Sequence, residues 1–200
     1  YYYKNIIKYL KNISLLLSAI IVATFIRTFI IQIYFIPSAS MEPTLNINDR
    51  VLVIKDKFLN LNYKIGDVVV FYNPDYVYQK NTFEEFYDSL QIWNFNNQQL
   101  TIDTAFIKRV VGFEGDEIKI KDGDIYNNGT LIKFANIPVN ETKVDVTYIV
   151  PSNSIFVLGD NRSNSIDSRI YGSVNINQII GRAEYKIYPI NEISNINDWK

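Results

Sequence analysis

From Ile13 to Ile36 the chain runs ISLLLSAIIVATFIRTFIIQIYFI, a stretch that few soluble folds can accommodate. Between Ile13 and Ile31 only Arg27 is charged. About 20 largely apolar residues suffice for a helix to cross a bilayer. Arg27 lies near the far end, where a long side chain can reach the headgroups. Lys4, Lys8 and Lys11 lie on the other flank, which by the positive-inside tendency places residues 1–12 on the cytoplasmic, stromal or matrix side. The expected organisation is a short N-terminus over 1–12, a transmembrane anchor over 13–31, and everything from 32 to 200 on the opposite side. Two other readings compete. A core helix of a small soluble protein is seldom apolar on every face at this length. A cleavable leader has the same outline of lysines, apolar stretch and small residues at Ser38–Ala39–Ser40. The retained anchor is favoured because chemistry-bearing residues follow it directly.

The rest of the chain reads as β-rich. Short β-branched runs occur at 50–54, 67–71, 105–112, 117–120, 155–158 and 179–188. Turn-forming clusters separate them, among them Asp122-Gly123-Asp124 and Asn127-Asn128-Gly129. The pattern predicts a mainly antiparallel β domain. Residues 73–103 are polar, aromatic and irregular, and read as an insertion whose one helical candidate is FEEFYDSL.

Composition narrows the chemistry. The 20 Lys+Arg balance 21 Asp+Glu, so no basic excess points to nucleic acid. There is no Cys and no His. Thiol nucleophiles, the Ser-His-Asp arrangement and the commonest zinc ligands are therefore excluded, and acid–base work falls to carboxylates, Lys or Tyr. No metal and no cofactor is expected.

Three segments carry candidate chemistry. In Ile36-Pro37-Ser38-Ala39-Ser40-Met41-Glu42-Pro43, two prolines stiffen the backbone around two serines. The segment is either a polar turn leaving the membrane or the seat of a nucleophile, which needs a fixed backbone and an adjacent base. In Phe106-Ile107-Lys108-Arg109-Val110, strand alternation puts Lys108 on the side of Phe106 and Val110. On a buried face desolvation lowers the ammonium pKa, as a lysine base requires, whereas on an edge strand Lys108 is an ordinary solvated residue. In Gly159-Asp160-Asn161-Arg162-Ser163-Asn164-Ser165-Ile166-Asp167-Ser168-Arg169, closely spaced Asp and Arg can lock a loop through charge-assisted hydrogen bonds.

These segments, in this order behind an N-terminal anchor, resemble the bacterial-type signal peptidase I family, the Ser–Lys leader peptidases. IPSASMEPTL is similar to its nucleophile box, GDVVVF to a strand box, FIKRVVGFEGDEI to its lysine box and GDNRSNSIDSR to its last box. The resemblance runs from the anchor to about Pro189, apart from 73–103. It implies a barrel-like β catalytic domain whose exposed apolar surface meets the bilayer. It implies a membrane-bound serine endopeptidase that cuts signal peptides from exported preproteins and works as a monomer. By the same resemblance Ser40 is the nucleophile and Lys108 the base. Ser38 supports the oxyanion and Ser165 holds Lys108. Asp167 and Arg169 form a structural ion pair, and Tyr34, Ile36, Pro37 and Ile107 line the substrate pockets. Ala39, Glu114 and Ser163 depart from the family's commoner residues, and these changes bear on loop geometry. The segment RTFIIQ with a single anchor is similar to cyanobacterial and thylakoid members, so the implied membrane is a cell membrane or a thylakoid. Two alternatives lie elsewhere. Soluble self-cleaving repressor-like proteases share a Ser-Met segment, and a membrane-tethered β domain without activity needs neither Ser40 nor Lys108.

Overall fold

A computed structural model describes residues 2–57, 59–74, 105–135, 137 and 145–198. Most of the expected insertion, including FEEFYDSL, lies outside the described residues.

Helix α1 (Tyr2–Phe29) is longer than the expected anchor at its start and two residues shorter at its end. Its apolar part, Ile7–Phe29, has a mean hydropathy of 1.8 and is almost wholly exposed. At 1.5 Å per residue it is long enough to cross a bilayer. Thr24 and Thr28 return their hydroxyls to the carbonyls of Ile20 and Thr24, which satisfies polar groups that an apolar medium penalises. Lys55 Nζ donates to the carbonyl of Thr28 at 2.8 Å, a cation at the negative end of the helix dipole. The helix stops before Ile31 because Ile31–Phe35 pairs with a neighbouring strand instead.

The described strands, in chain order, are β1 (Ile31–Phe35), β2 (Arg50–Lys55), β3 (Val68–Tyr72), β4 (Ala105–Phe113), β5 (Glu117–Lys121), β6 (Asp124–Asn127), β7 (Thr130–Ile132), β8 (Val146–Ile149), β9 (Ser154–Leu158), β10 (Val174–Asn175), β11 (Ile179–Tyr188) and β12 (Ser194–Asn195). The larger sheet has the order β1-β2-β11-β3-β4-β9-β10, with β12 also on β11. The smaller has the order β7-β6-β5-β8. All pairings are antiparallel. The mainly β expectation holds, with the barrel-like part realised as an open half-barrel whose edges are β1 and β10.

Local chemistry explains the smaller sheet. Lys121 pairs with Asp124 and Asn127 with Thr130, so two-residue turns join β5 to β6 and β6 to β7. Asp122, Gly123, Asn128 and Gly129 all have positive φ, the type I′ requirement that Asp-Gly and Asn-Gly meet at low cost. Strand β5 alternates exposed and buried residues, whereas β3 and β9 are buried almost throughout. Those two are central strands covered on both faces, which is why they read as unbroken apolar runs.

The core of the larger sheet splits across β4. Ile107 packs with Met41, Leu45, Val51, Val68 and Val70. Phe106 and Val110 pack with Val69, Phe71, Ile155 and Val157. Residues 39–45 are thereby tied to the sheet through the fully buried Met41 and Leu45.

Candidate active site

Ser40 sits in a single 3-10 turn, Ala39–Met41, that follows β1. Burial of Met41 anchors the turn from below. From above, the loop after β9 clasps it: Asn161 donates its backbone N–H to the carbonyl of Ser40 and its side-chain amide to that of Ala39, both at 3.1 Å. Gly159 makes this approach possible. A Cβ there would lie 2.6 Å from the Ser40 carbonyl oxygen and 2.2 Å from Ser165 Oγ, so any side chain would push the loop off the turn.

Lys108 projects from β4, in register with Val69 of β3. Its Nζ lies 2.8 Å from Ser40 Oγ and 3.0 Å from the carbonyl of Ile107. It is 4% exposed and makes no ion pair among the described residues. Burial pulls its ammonium from 10.5 down to about 8, against the opposing pull of Asp167 and Asp160. Phe106 stands beside it, its ring centroid 6.0 Å from Nζ, as strand alternation requires.

The other expected residues take up varied positions. The Ser38 hydroxyl is 3.5 Å from Ser40 Oγ, longer than an ordinary O–H···O bond, and Ser38 is exposed. Ser165 Oγ is buried with no hydrogen-bond partner among the described residues, so no bond joins it to Lys108. Asp167 and Arg169 form a two-pronged pair, Nε to Oδ1 at 2.8 Å and Nη2 to Oδ2 at 2.9 Å. Asp167 also accepts the backbone N–H of Gly159 at 2.9 Å and caps the short helix α2 (Ser168–Tyr171). Tyr34, Ile36, Pro37 and Ile107 line one shallow groove beside the turn, together with Val70 and Phe106.

One constellation went unnoticed in the sequence. Arg109, next to Lys108 and 1% exposed, binds Asp160 through Nε at 2.8 Å and Nη2 at 2.7 Å. Its Nη1 donates to the carbonyl of Gly66 at 2.6 Å. The Thr44 hydroxyl donates to Asp160 at 2.5 Å. This network joins residues 39–45, β4 and the loop after β9 on the side of β4 away from Lys108. The sequence signal was Arg109 itself, a second charge in an apolar strand, but nothing local names its partner.

A hydroxyl held against a desolvated lysine, beside an apolar groove and an edge strand, is suited to attack on a carbonyl in an extended chain. The chain is also similar to several known proteins. The family profile described as signal peptidase, peptidase S26, matches residues 8–188. The chain is 35% identical over 183 residues to a probable signal peptidase I-2 of Synechocystis sp., covering 92% of this chain and 75% of that one. It is 33% identical over 187 residues to a signal peptidase I of Leptolyngbya laminosa, covering 94% and 82%. A probable chloroplastic thylakoidal processing peptidase 2 of Arabidopsis thaliana is 31% identical over 181 residues, covering 90% of this chain and 44% of that one. A match running from α1 through β11, with these identities, shows that this chain belongs to the signal peptidase, peptidase S26, family.

Proposed function

We propose that this chain is a membrane-anchored serine endopeptidase that removes N-terminal signal peptides from exported preproteins, with Ser40 as nucleophile and Lys108 as general base. The observation that carries the reading is the 2.8 Å contact between Lys108 Nζ and Ser40 Oγ inside a buried pocket. Neutral Lys108 accepts the Ser40 proton as Oγ bonds to the scissile carbonyl carbon. The resulting ammonium protonates the departing amine, leaving an acyl ester on Ser40. Lys108 then takes a proton from the water that attacks the ester, and returns it to Ser40 Oγ as the acid departs, restoring the neutral amine and the hydroxyl.

The remaining residues serve that sequence. The Ser38 hydroxyl and the Ser40 N–H are the donors to the oxyanion; each such donor typically contributes about 10²–10³ in rate. Ser165, whose hydroxyl has no partner among the described residues, accepts from Lys108 once it is charged. Asp167 and Arg169 hold the loop that clasps the nucleophile. The substrate lies extended along β1, with small side chains in the groove of Tyr34, Ile36, Pro37 and Ile107. Helix α1 spans the bilayer with Lys4, Lys8 and Lys11 on the cytoplasmic or stromal side, and the enzyme works as a monomer on the opposite face of a cell or thylakoid membrane.

The test is cleavage of a precursor with an Ala-x-Ala site by the detergent-solubilised chain. Ser40→Ala should lower the rate by at least about 10³-fold while the thermal transition is kept. A folded Ser40→Ala variant that cleaves within tenfold of wild type (roughly the loss of a minor contact) removes Ser40 as the nucleophile.

A further inference from the structure

Five buried charges meet behind the loop that clasps Ser40. Asp160 and Asp167 are fully buried, and Arg109 and Arg162 are 1% and 7% exposed. The Arg169 side chain is 8% exposed. Asp160 is taken by Arg109 and Asp167 by Arg169, each through two hydrogen bonds. Arg162 is left over. Its Nε donates to the carbonyl of Gly159 at 2.8 Å. Its terminal amino groups have no ion pair and no hydrogen bond among the described residues, yet they are not sealed from solvent. Burial pulls its guanidinium down to about 10, partly offset by Asp160. A buried cation without a counter-charge is costly and is seldom retained without a use.

Arg162 lines a recess of about 80 Å³ on the smaller sheet, walled by Ile125, Ile132, Phe134 and Ile137. That is room for a small ion rather than a lone water. Lys133, exposed, and Asp124, half-buried, also line it and form its solvent-facing mouth, opposite the buried Arg162. The Ile125↔Ile132 pairing leaves them as the next residues on facing strands, and neither has an ion pair among the described residues. A cation at the floor, a second at the mouth and apolar walls favour one compact negative group. Asp124 opposes it at the mouth and sets a limit on its affinity.

We propose that this recess binds a small oxyanion, a carboxylate or a phosphate, through the terminal amino groups of Arg162, with Lys133 adding attraction at the mouth. The site does not involve Ser40 or Lys108 and does not rest on the peptidase reading. Arg162 and Asn161 belong to the same loop, so an anion here completes the charge balance of the segment that holds the Ser40 carbonyl.

The test uses the detergent-solubilised full chain at neutral pH, titrated with sodium phosphate, sodium acetate or sodium chloride at matched ionic strength. Phosphate or acetate at tenfold its Kd should raise Tm by about 3–6 °C above the chloride control. Arg162→Gln should abolish the rise, Lys133→Ala should weaken the apparent Kd severalfold, and Asp124→Asn should tighten it. A stronger response to acetate assigns a carboxylate ligand, and a stronger response to phosphate a phosphate. A rise no larger than with chloride overturns the site. So does an equal effect of Lys133→Ala and of Lys119→Ala, an exposed lysine on β5 remote from the recess mouth. Should Arg162→Gln fail to fold, the opposite shifts from Lys133→Ala and Asp124→Asn decide the matter alone.

Discussion

Two neighbouring residues of β4 meet opposite fates. Lys108 and Arg109 are both buried cations, 4% and 1% exposed, and they point to opposite faces of one strand. Arg109 is saturated by a carboxylate and a carbonyl. Lys108 has a hydroxyl and a carbonyl, with no anion in direct contact among the described residues. The difference is chemical as well as geometric. A guanidinium stays protonated and needs a planar acceptor, whereas an ammonium can shed its proton when desolvated. One face of β4 is therefore scaffold and the other is poised for proton transfer. The lesson is that burial alone does not mark a proton-transferring cation; burial of an ammonium without a contacting counter-charge does, because only the ammonium can give up its proton.

Lys108→Met breaks the reactive half of this comparison and should have the largest effect. Precursor cleavage should fall by about 10³-fold or more. Stability should move the other way. Burial lowers the Lys108 pKa from 10.5 in the unfolded chain to about 8 in the folded one. Between those values the unfolded chain holds a proton the folded one lacks, so wild-type stability rises with pH across the window. Below it the penalty is present in full. Lys108→Met should thus gain about 1–3 kcal/mol at neutral pH and flatten the slope, as read by urea unfolding at several pH values. The wild-type cleavage rate should rise with pH and level off above about 8. A rate that is flat from mildly acidic to alkaline pH is incompatible with a lysine base.

Asp160→Ala attacks the scaffold half. It strands Arg109 in a buried site, and removing one partner of a buried pair costs about 3–5 kcal/mol. The urea midpoint should drop accordingly. Cleavage should fall as well, because Asp160 lies next to Asn161, which holds the Ser40 carbonyl. A variant that unfolds like wild type would show that Arg109 needs no anion and that the contrast between the two cations is false.

Much of this arrangement was legible in the chain itself. The β-branched runs became β2, β3, β4, β5, β9 and β11, and the Asp-Gly and Asn-Gly pairs became tight turns, because those signals act within a few residues. Strand β1 was hidden, since its apolar residues continue the pattern of α1 and only pairing with β2 separates them. The Asp167–Arg169 pair is local and was visible. Asp160 was not, for Arg162 stands two residues after it just as Arg169 follows Asp167, yet Asp160 takes Arg109, 51 positions away. Ser165 shows the same limit. Its place in the last box is plain, but its unpartnered hydroxyl depends on the packing of Gly159 against it. Long-range pairing and the geometry of a loop closing on a turn leave no trace in local patterning.

Thr44→Val gives the smallest and most discriminating effect. Thr44 belongs to the chain that follows Ser40, and its hydroxyl reaches Asp160 from the scaffold side of β4. Valine keeps the shape but removes the donor to Asp160 and the acceptor of a 3.3 Å bond from Arg109 Nη2, while both bonds from Arg109 to Asp160 remain. The expected cost is about 1–2 kcal/mol of stability, the net worth of one good and one long hydrogen bond. If the two faces of β4 are independent, the cleavage rate at a given pH should change less than about threefold and its pH midpoint should stay in place, because nothing in contact with Lys108 has changed. A shift of that midpoint would mean that the scaffold network tunes Lys108 through the field of Asp160, which already favours its charged form. Stability and the pH profile, measured on the same variant, therefore separate a support that only holds the nucleophile turn from one that also sets the proton affinity of its base.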